Sequence, residues 1–128
     1  VVGGCLCLLT DSIGTKDALN CDGKLLLIED VDENPHRIDA MLTHLLNSGV
    51  LERVAGIIVG EMTGTNERHD STIGPWTWQE IVQDRFAPLN KPLIIDFPFG
   101  HRKSGMLTLP LGQKAALDAE TGSLSYLY

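Results

Sequence analysis

The hydrophobic pattern of this chain switches between apolar runs and a helical repeat. Residues 24–28, 54–59 and 92–97 are mostly apolar, and such runs are typical of strands covered on both faces. Between the first two runs, apolar residues recur with the spacing of one helix face, at Ile38, Met41, Leu42, Leu45 and Leu46. A strand, a helix and a second strand in this order predict a parallel crossover unit.

Capping signals mark the ends of this helix. Asn34 stands where a side-chain cap is favoured, and Pro35 occupies the first helical position. Gly49 is expected to end the helix in the left-handed conformation, which glycine adopts at low cost. The pattern therefore predicts a helix over about 35–48.

A second helix is predicted to begin near Thr77. Thr77 and Glu80 have the spacing of a capping box, and Trp76 and Ile81 have the spacing of a hydrophobic staple. The two tryptophans could instead line a ligand pocket, although the staple and core roles are simpler. The predicted buried face consists of Trp78, Ile81, Val82 and Phe86.

The remaining segments predict loops, a hairpin and one ambiguous element. Residues 6–9 fit either a strand or a buried helix, since periodicity cannot separate the two in so short a run. Residues 11–23 and 60–74 are rich in Gly, Asn, Asp and Thr, which is typical of loops. Alternation over 113–118 and 123–127 around a Glu-Thr-Gly turn predicts a hairpin. The sum is an α/β fold with a small parallel core and a C-terminal hairpin.

Composition and charge exclude several classes of partner. The chain has 128 residues, the size of one domain, and no apolar run near the roughly 20 residues of a membrane span. The net charge is −7, with Glu29, Asp30, Asp32 and Glu33 forming the densest acidic cluster. No stripe of Lys and Arg exists to follow phosphates, so neither nucleic acid nor an anionic membrane is an expected partner.

The cysteines and the first residue indicate the cellular compartment that we expect for the protein. Cys5 and Cys7 lie two apart and do not match a zinc-binding C-x2-C pair, and Cys21 leaves an odd number. We therefore expect reduced thiols in a cytoplasmic protein. No signal peptide is visible and the first residue is Val1, so we expect the chain to start within a longer protein or to be processed.

Two residues at predicted strand ends could perform chemistry. Glu29 ends the first run and His101 follows the third, and the carboxyl ends of parallel strands gather at one edge of a sheet. A carboxylate beside an imidazole would fix its tautomer and stabilise its charged form, and Gly100 would allow the backbone angle that aims the ring. The simpler alternatives are a solvated carboxylate and a surface histidine. We also expect part of the acidity around Glu29 to belong to this site.

The sequence gives weaker evidence for a functional role of the other three histidines. His36 and His44 lie on the first helix, away from its apolar stripe. His69 lies in the polar loop near Glu67 and Asp70, a loose pattern that fits a solvated loop better than a metal site. We therefore predict no metal and no cofactor.

A nucleophile is not evident in the chain. No G-x-S-x-G motif occurs, and none of the serines has a strand–turn–helix context. Cys5 is the best thiol candidate, but its apolar neighbours favour an inert buried thiol.

Several short motifs, taken together, resemble those of a known family. They are L-I-E-D-V at 27–31, R-I-D at 37–39, M-L at 41–42, F-P-F-G-H at 97–101 and T-L-P-L-G at 108–112. The opening G-G-C-L resembles the family's G-G-N-L, with Cys5 in place of Asn. In this order the motifs resemble the C-terminal domain of the LD-carboxypeptidases over nearly the whole chain.

The resemblance implies a role for the chain and for its site residues. Glu29 and His101 match the family's catalytic Glu and His, while the serine nucleophile belongs to a separate N-terminal domain. Residues 1–128 would be the C-terminal domain, with a swivelling β/β/α fold and its own N-terminal domain as partner. The implied activity is removal of terminal D-alanine from cytoplasmic muropeptides in cell-wall recycling. The isolated chain would be inactive, and a homodimer is left open.

Two other functions are left open at this point. Microcin self-immunity peptidases share the same Glu and His but cleave a peptide–nucleotide antibiotic. A ligand-binding module that kept the fold without the nucleophile is the non-enzymatic alternative. If a second domain packs on this one, one face should carry an apolar patch.

Overall fold

The computed structural model describes all 128 residues as an α/β domain. Strands and helices alternate through most of the chain, and two strands follow at the end. In order they are β1 Val2–Cys5, α1 Leu6–Ser12, β2 Leu25–Val31, α2 Pro35–Asn47, β3 Gly56–Thr63, α3 Trp78–Phe86, β4 Leu93–Ile94, β5 Ala115–Asp118 and β6 Ser123–Tyr126. Short 3-10 turns at Val50–Glu52 and Ala87–Leu89 follow α2 and α3.

The first four strands form a parallel sheet in the order β1-β2-β3-β4. A helix connects each strand to the next, as the predicted crossover unit requires. All three helices pack on one face, where Leu26, Ile28, Ile57 and Val59 point toward them. The core there includes Leu6 of α1, Leu42 and Leu45 of α2, and Trp78, Ile81, Val82 and Phe86 of α3.

The opposite face of the sheet is covered by the C-terminal hairpin. Leu25, Leu27 and Ile58 point to this side and form a second core with Val1 and Phe99. Strands β5 and β6 pair antiparallel and place Leu117, Leu124 and Tyr126 against it. The order of layers is therefore hairpin, sheet, helices, and the predicted α/β class with a parallel core and a hairpin is confirmed.

The amino end of the chain differs from the sequence prediction. The ambiguous run at 6–9 belongs to helix α1, and a strand that was not predicted, β1, precedes it. Its Gly3 and Gly4 have weak strand propensity, which hides the strand in the sequence. Gly3 is required there, because a side-chain Cβ would overlap the backbone of Leu27 on β2.

The strand ends also differ from the prediction. Strands β2 and β3 continue to Val31 and Thr63, so Glu29 lies inside β2 and residues 60–63 are strand rather than loop. Strand β4 is only two residues long, because Asp96 adopts a left-handed backbone (φ 63°) that ends the extended run. The apolar runs predicted where the strands lie, but not the residue at which the hydrogen-bonded pairing of each strand ends.

The helix ends agree with the prediction in part. Gly49 has φ 74° after α2, and Thr77 with Glu80 forms the capping box of α3. Asn34 takes the cap position of α2, but its side chain makes no capping hydrogen bond. Trp76 remains 45% exposed, so the hydrogen-bonded capping box is what fixes the start of α3. No helix has both the length and the apolar character needed to cross a membrane.

Candidate active site

The carboxylate of Glu29 is positioned by an irregularity between β2 and β3. Ile28 pairs with Val59 and Asp30 pairs with Met62, so Gly60 and Glu61 of β3 together oppose Glu29. Such a bulge re-aims side chains and is common beside active sites. Glu29 is two residues beyond Leu27 and four beyond Leu25 on β2, so it points to the same hairpin-covered face of the sheet as they do. It is only 7% exposed there.

The loop after β4 brings His101 to the same place. Phe97 donates a backbone hydrogen bond to Val59, and Glu61 donates one to Phe99. The Phe99 ring packs against Gly60, where a Cβ would come within 2.5 Å of the ring. The glycine in the bulge thus admits the aromatic anchor that holds the loop on the sheet.

His101 and Glu29 are in direct contact. His101 Nδ1 lies 2.7 Å from Glu29 Oε2, and the imidazole side chain is 53% exposed. A carboxylate accepts hydrogen bonds, so Nδ1 is the donor, and in the neutral form of the ring Nε2 then carries a free lone pair. Gly100 permits this contact: it has φ +106°, and a Cβ there would lie 2.9 Å from Glu29 Oε2. The arrangement can take up and release a proton at Nε2.

Apolar side chains surround this pair. A shallow pocket contains Glu29 and His101 together with Gly4, Leu27, Phe99, Gly100, Leu107, Leu109 and Leu111. Met106, Leu107 and Leu111 are each at least half exposed beside it. These three residues, called here the apolar rim, are the kind of surface that the sequence led us to expect where a second domain packs.

The acidic cluster of the sequence does not form one acidic site. Asp30 points to the helix face, where its carboxylate accepts hydrogen bonds from the backbone N–H groups of Cys7 and Val31. Asp32 pairs with Arg68, and Glu33 pairs with Arg37. The expectation that this acidity belongs partly to the site is wrong for Asp30, because strand alternation turns its carboxylate to the opposite face of the sheet from Glu29.

The looser cluster near His69 forms no metal site, since no three metal-binding side chains converge anywhere in the structure. Asp70 turns instead to His36 and accepts hydrogen bonds from its backbone N–H (2.8 Å) and its Nδ1 (2.7 Å). Burial alone would raise the pKa of Asp70, but the hydrogen bonds from His36 and Thr72 outweigh it and hold the pKa far below its usual range. Asp70 thereby supplies the cap that Asn34 does not.

The thiols are inert by environment. Cys5, Cys7 and Cys21 are all free. Burial raises the pKa of each of the three thiols above its ordinary value. Little reactive thiolate therefore exists at neutral pH, and Cys5 is a poor nucleophile.

One pair of residues at the site was missed in the sequence. Arg102 Nε lies 3.2 Å from Glu61 Oε2, so the residue after His101 is paired with the residue opposite Glu29. The only sequence signal was a basic residue directly after the histidine.

Comparisons with known proteins show the family to which the chain belongs. The family described as the LD-carboxypeptidase C-terminal domain matches residues 1–117. A Synechocystis protein named "Putative carboxypeptidase" is 39% identical over 127 residues, which is 99% of this chain and 41% of that protein. The "Probable murein peptide carboxypeptidase" of Bacillus subtilis is 34% identical over 119 residues, which is 92% of this chain and 36% of that protein.

Solved structures give the same result. The muramoyltetrapeptide carboxypeptidase of Oxalobacter formigenes superposes with a TM-score of 0.82 at 27% identity, covering 97% of this chain and 42% of that one. The microcin C7 self-immunity protein MccF, known from Escherichia coli, superposes with a TM-score of 0.80 at 25% identity, covering 99% and 37%. The chain spans about two fifths of the length of these proteins. By sequence, fold and domain match, it belongs to the LD-carboxypeptidase family and corresponds to the C-terminal domain of that family.

Proposed function

We propose that the protein containing this domain is a cytoplasmic serine-type LD-carboxypeptidase that removes terminal D-alanine from muropeptides. The observation that carries the proposal is the 2.7 Å contact between His101 Nδ1 and Glu29 Oε2, with the other edge of the imidazole open. Family membership supports the carboxypeptidase class, and the Bacillus relative's name supports a murein peptide as substrate. The three free cysteines are typical of a reducing compartment.

The proposed mechanism follows from the direction of the imidazole. Glu29 accepts the Nδ1–H of His101, which leaves Nε2 free to take the proton of a serine hydroxyl as that oxygen attacks the peptide carbonyl. The positive charge that forms on the ring is stabilised by the buried carboxylate beside it. Nε2 then donates the proton to the nitrogen of the departing amino acid.

We propose that the serine comes from an N-terminal domain of the same protein. No serine of this chain forms a hydrogen bond with His101, and the apolar rim next to the pair is a suitable surface for a covering domain. The site would then lie in the cleft between the domains, and the isolated chain would be inactive. A homodimer is compatible with this arrangement.

The test is mutation in the full-length protein. His101→Ala and Glu29→Ala should each lower kcat for an L,D-linked tetrapeptide by about 10²- to 10⁴-fold, the range of a general base and its orienting acid. His44→Ala is the matched control, because His44 is exposed on α2 and makes no side-chain hydrogen bond. Near-native turnover in either site variant would refute the assignment, as would turnover by the isolated chain.

A microcin-type self-immunity peptidase is the second candidate. It is favoured by the 30% identity to MccF over 98% of this chain, since one solved MccF structure holds aspartyl sulfamoyl adenosine. Comparing kcat/KM for a muropeptide and for an aminoacyl sulfamoyl nucleoside distinguishes the two. If the full-length wild type cleaves neither, a non-catalytic binding module remains.

A further inference from the structure

An ion pair between Glu61 and Arg102 lies beside the loop that carries the proposed general base. Glu61 belongs to the bulge opposite Glu29, and its carboxylate lies 3.2 Å from Arg102 Nε. The Arg102 side chain is 32% exposed, and none of its terminal amino groups forms a hydrogen bond with the protein. An arginine that pairs with a carboxylate near Nε keeps the two parallel N–H groups of its terminal nitrogens, the geometry that binds a second carboxylate in a bidentate manner.

Arg102 faces two adjoining polar depressions at the carboxyl end of β3. Their volumes are about 330 and 630 Å³, and Glu61, Gly64 and Glu67 also line both. The walls are otherwise rich in acids and amides, including Asp32, Asn66, Gln79 and Asp96. An anion entering this region would be repelled by most of the walls and attracted at Arg102, which lines both depressions, and at Lys103, which lines the larger one.

A carboxypeptidase must recognise a free carboxylate very close to the bond that it cuts. In the departing amino acid, the carboxylate carbon lies two bonds from the nitrogen, a distance of about 2.5 Å. The group that protonates this nitrogen and the group that binds the carboxylate must therefore be neighbours. Arg102 follows His101 in the chain, and its partner Glu61 donates a backbone hydrogen bond to Phe99 in the same loop, which keeps Arg102 at this edge of the sheet.

We propose that Arg102, held by Glu61, binds the terminal carboxylate of the substrate and makes the enzyme an exopeptidase. The proposal rests on the proposed function. Other nearby cations fit less well: Arg68 already donates a hydrogen bond to Asp32 (3.1 Å), and Lys103 is exposed and has no ion-pair partner to orient it.

The experiment compares two substrates in the full-length protein. One is an L,D-linked tetrapeptide with a free terminal carboxylate, and the other is the same peptide as its terminal amide. Arg102→Gln should lower kcat/KM for the acid by about 10- to 100-fold, because a charged hydrogen bond contributes that much to binding. It should change kcat/KM for the amide by less than about threefold. Arg102→Lys should recover only part of the loss, because an ammonium cannot bind in a bidentate manner.

The controls separate binding from structure and from charge. Lys103→Gln removes one positive charge from the same loop and should leave the acid-to-amide ratio unchanged. Glu61→Gln loosens Arg102 and should raise KM for the acid more than it lowers kcat. An equal loss for both substrates in Arg102→Gln, or the same effect in Lys103→Gln, would overturn the proposal while leaving His101 and Glu29 in place. If the wild type cleaves neither substrate, or if His101→Ala remains active, it is the proposed function that fails.

Discussion

Substitution of Gly100 by alanine tests how closely the backbone is fitted to Glu29. Gly100 has φ +106°, beyond the left-handed region that Asn and Asp tolerate. Its missing Cβ would lie 2.9 Å from Glu29 Oε2 and 3.1 Å from Glu29 Cβ and Cγ. Alanine therefore strains the loop and pushes against the side chain that His101 contacts.

The magnitude follows from these two costs. A non-glycine residue in such a sparsely populated conformation costs about 1–3 kcal/mol. A hydrogen bond to a charged group, such as that from His101 to the carboxylate, typically contributes about 1.5–3 kcal/mol to stability. Only part of this is lost, because the half-exposed imidazole can follow a small shift of the Glu29 side chain. We expect a total loss of about 2–3 kcal/mol, which lowers Tm by roughly 10 °C in a domain of this size.

Two measurements on the same samples check this expectation. Thermal unfolding gives the loss of stability, and nitrogen NMR of the imidazole reports whether Nδ1 still donates to Glu29. Gly105→Ala is the matched control, because Gly105 also has positive φ (+67°) in the same segment but nothing lies within 4 Å of its Cβ position. It should cost about 1 kcal/mol and leave the imidazole signal unchanged. If Gly100→Ala leaves both the Tm and the imidazole signal unchanged, or if the two variants have equal effects, then the backbone at Gly100 is not closely fitted to Glu29.

Four further predictions concern the rest of the domain. Leu42→Ala should cost about 2–5 kcal/mol in urea unfolding because Leu42 is fully buried, whereas Leu8→Ala, at a site 69% exposed, should cost under about 0.5 kcal/mol. Thr77→Ala removes the capping box of α3 and should cost about 1 kcal/mol in the same assay. The depressed pKa of Asp70 means that its carboxylate contributes its full stabilisation above about pH 4 and that this contribution declines progressively as the pH falls toward the depressed pKa; Asp70→Asn should therefore destabilise the domain at pH 7, and the difference from the wild type should begin to shrink only below about pH 4. The raised pKa of Cys5 predicts that alkylation by iodoacetamide at pH 7 is slower than for free cysteine, and equal rates would contradict it.

The predictions from sequence succeeded where the signal is local. The helical repeat from Ile38 to Leu46 and the Thr77–Glu80 box depend on residues three or four apart, and both elements are present. The predictions failed where an element is stabilised by residues that are distant in the chain. Strand β1 is stabilised by parallel pairing with β2, more than twenty residues away, and the cap of α2 comes from Asp70 in another loop.

The sequence also identified the two residues of the candidate site, although not their geometry. Glu29 and His101 were predicted from their places after apolar runs and from the family motifs. Their contact depends on the bulge at Gly60 and Glu61, on Phe99 over Gly60 and on the backbone of Gly100. None of these has a periodic signature, because each is a fit between segments that are far apart in the chain.

The class of fold and the helix faces follow from the sequence alone, because hydrophobic spacing and capping act over a few residues. The histidine and the carboxylate could be named as candidates from their positions after apolar runs and from the family motifs. The direction of each side chain depends on the tertiary structure: Glu29 turns to His101, Asp30 turns to α1, and Arg102 pairs with Glu61. The physical reason is that strand alternation assigns neighbouring residues to opposite faces, and the partners on each face come from distant parts of the chain.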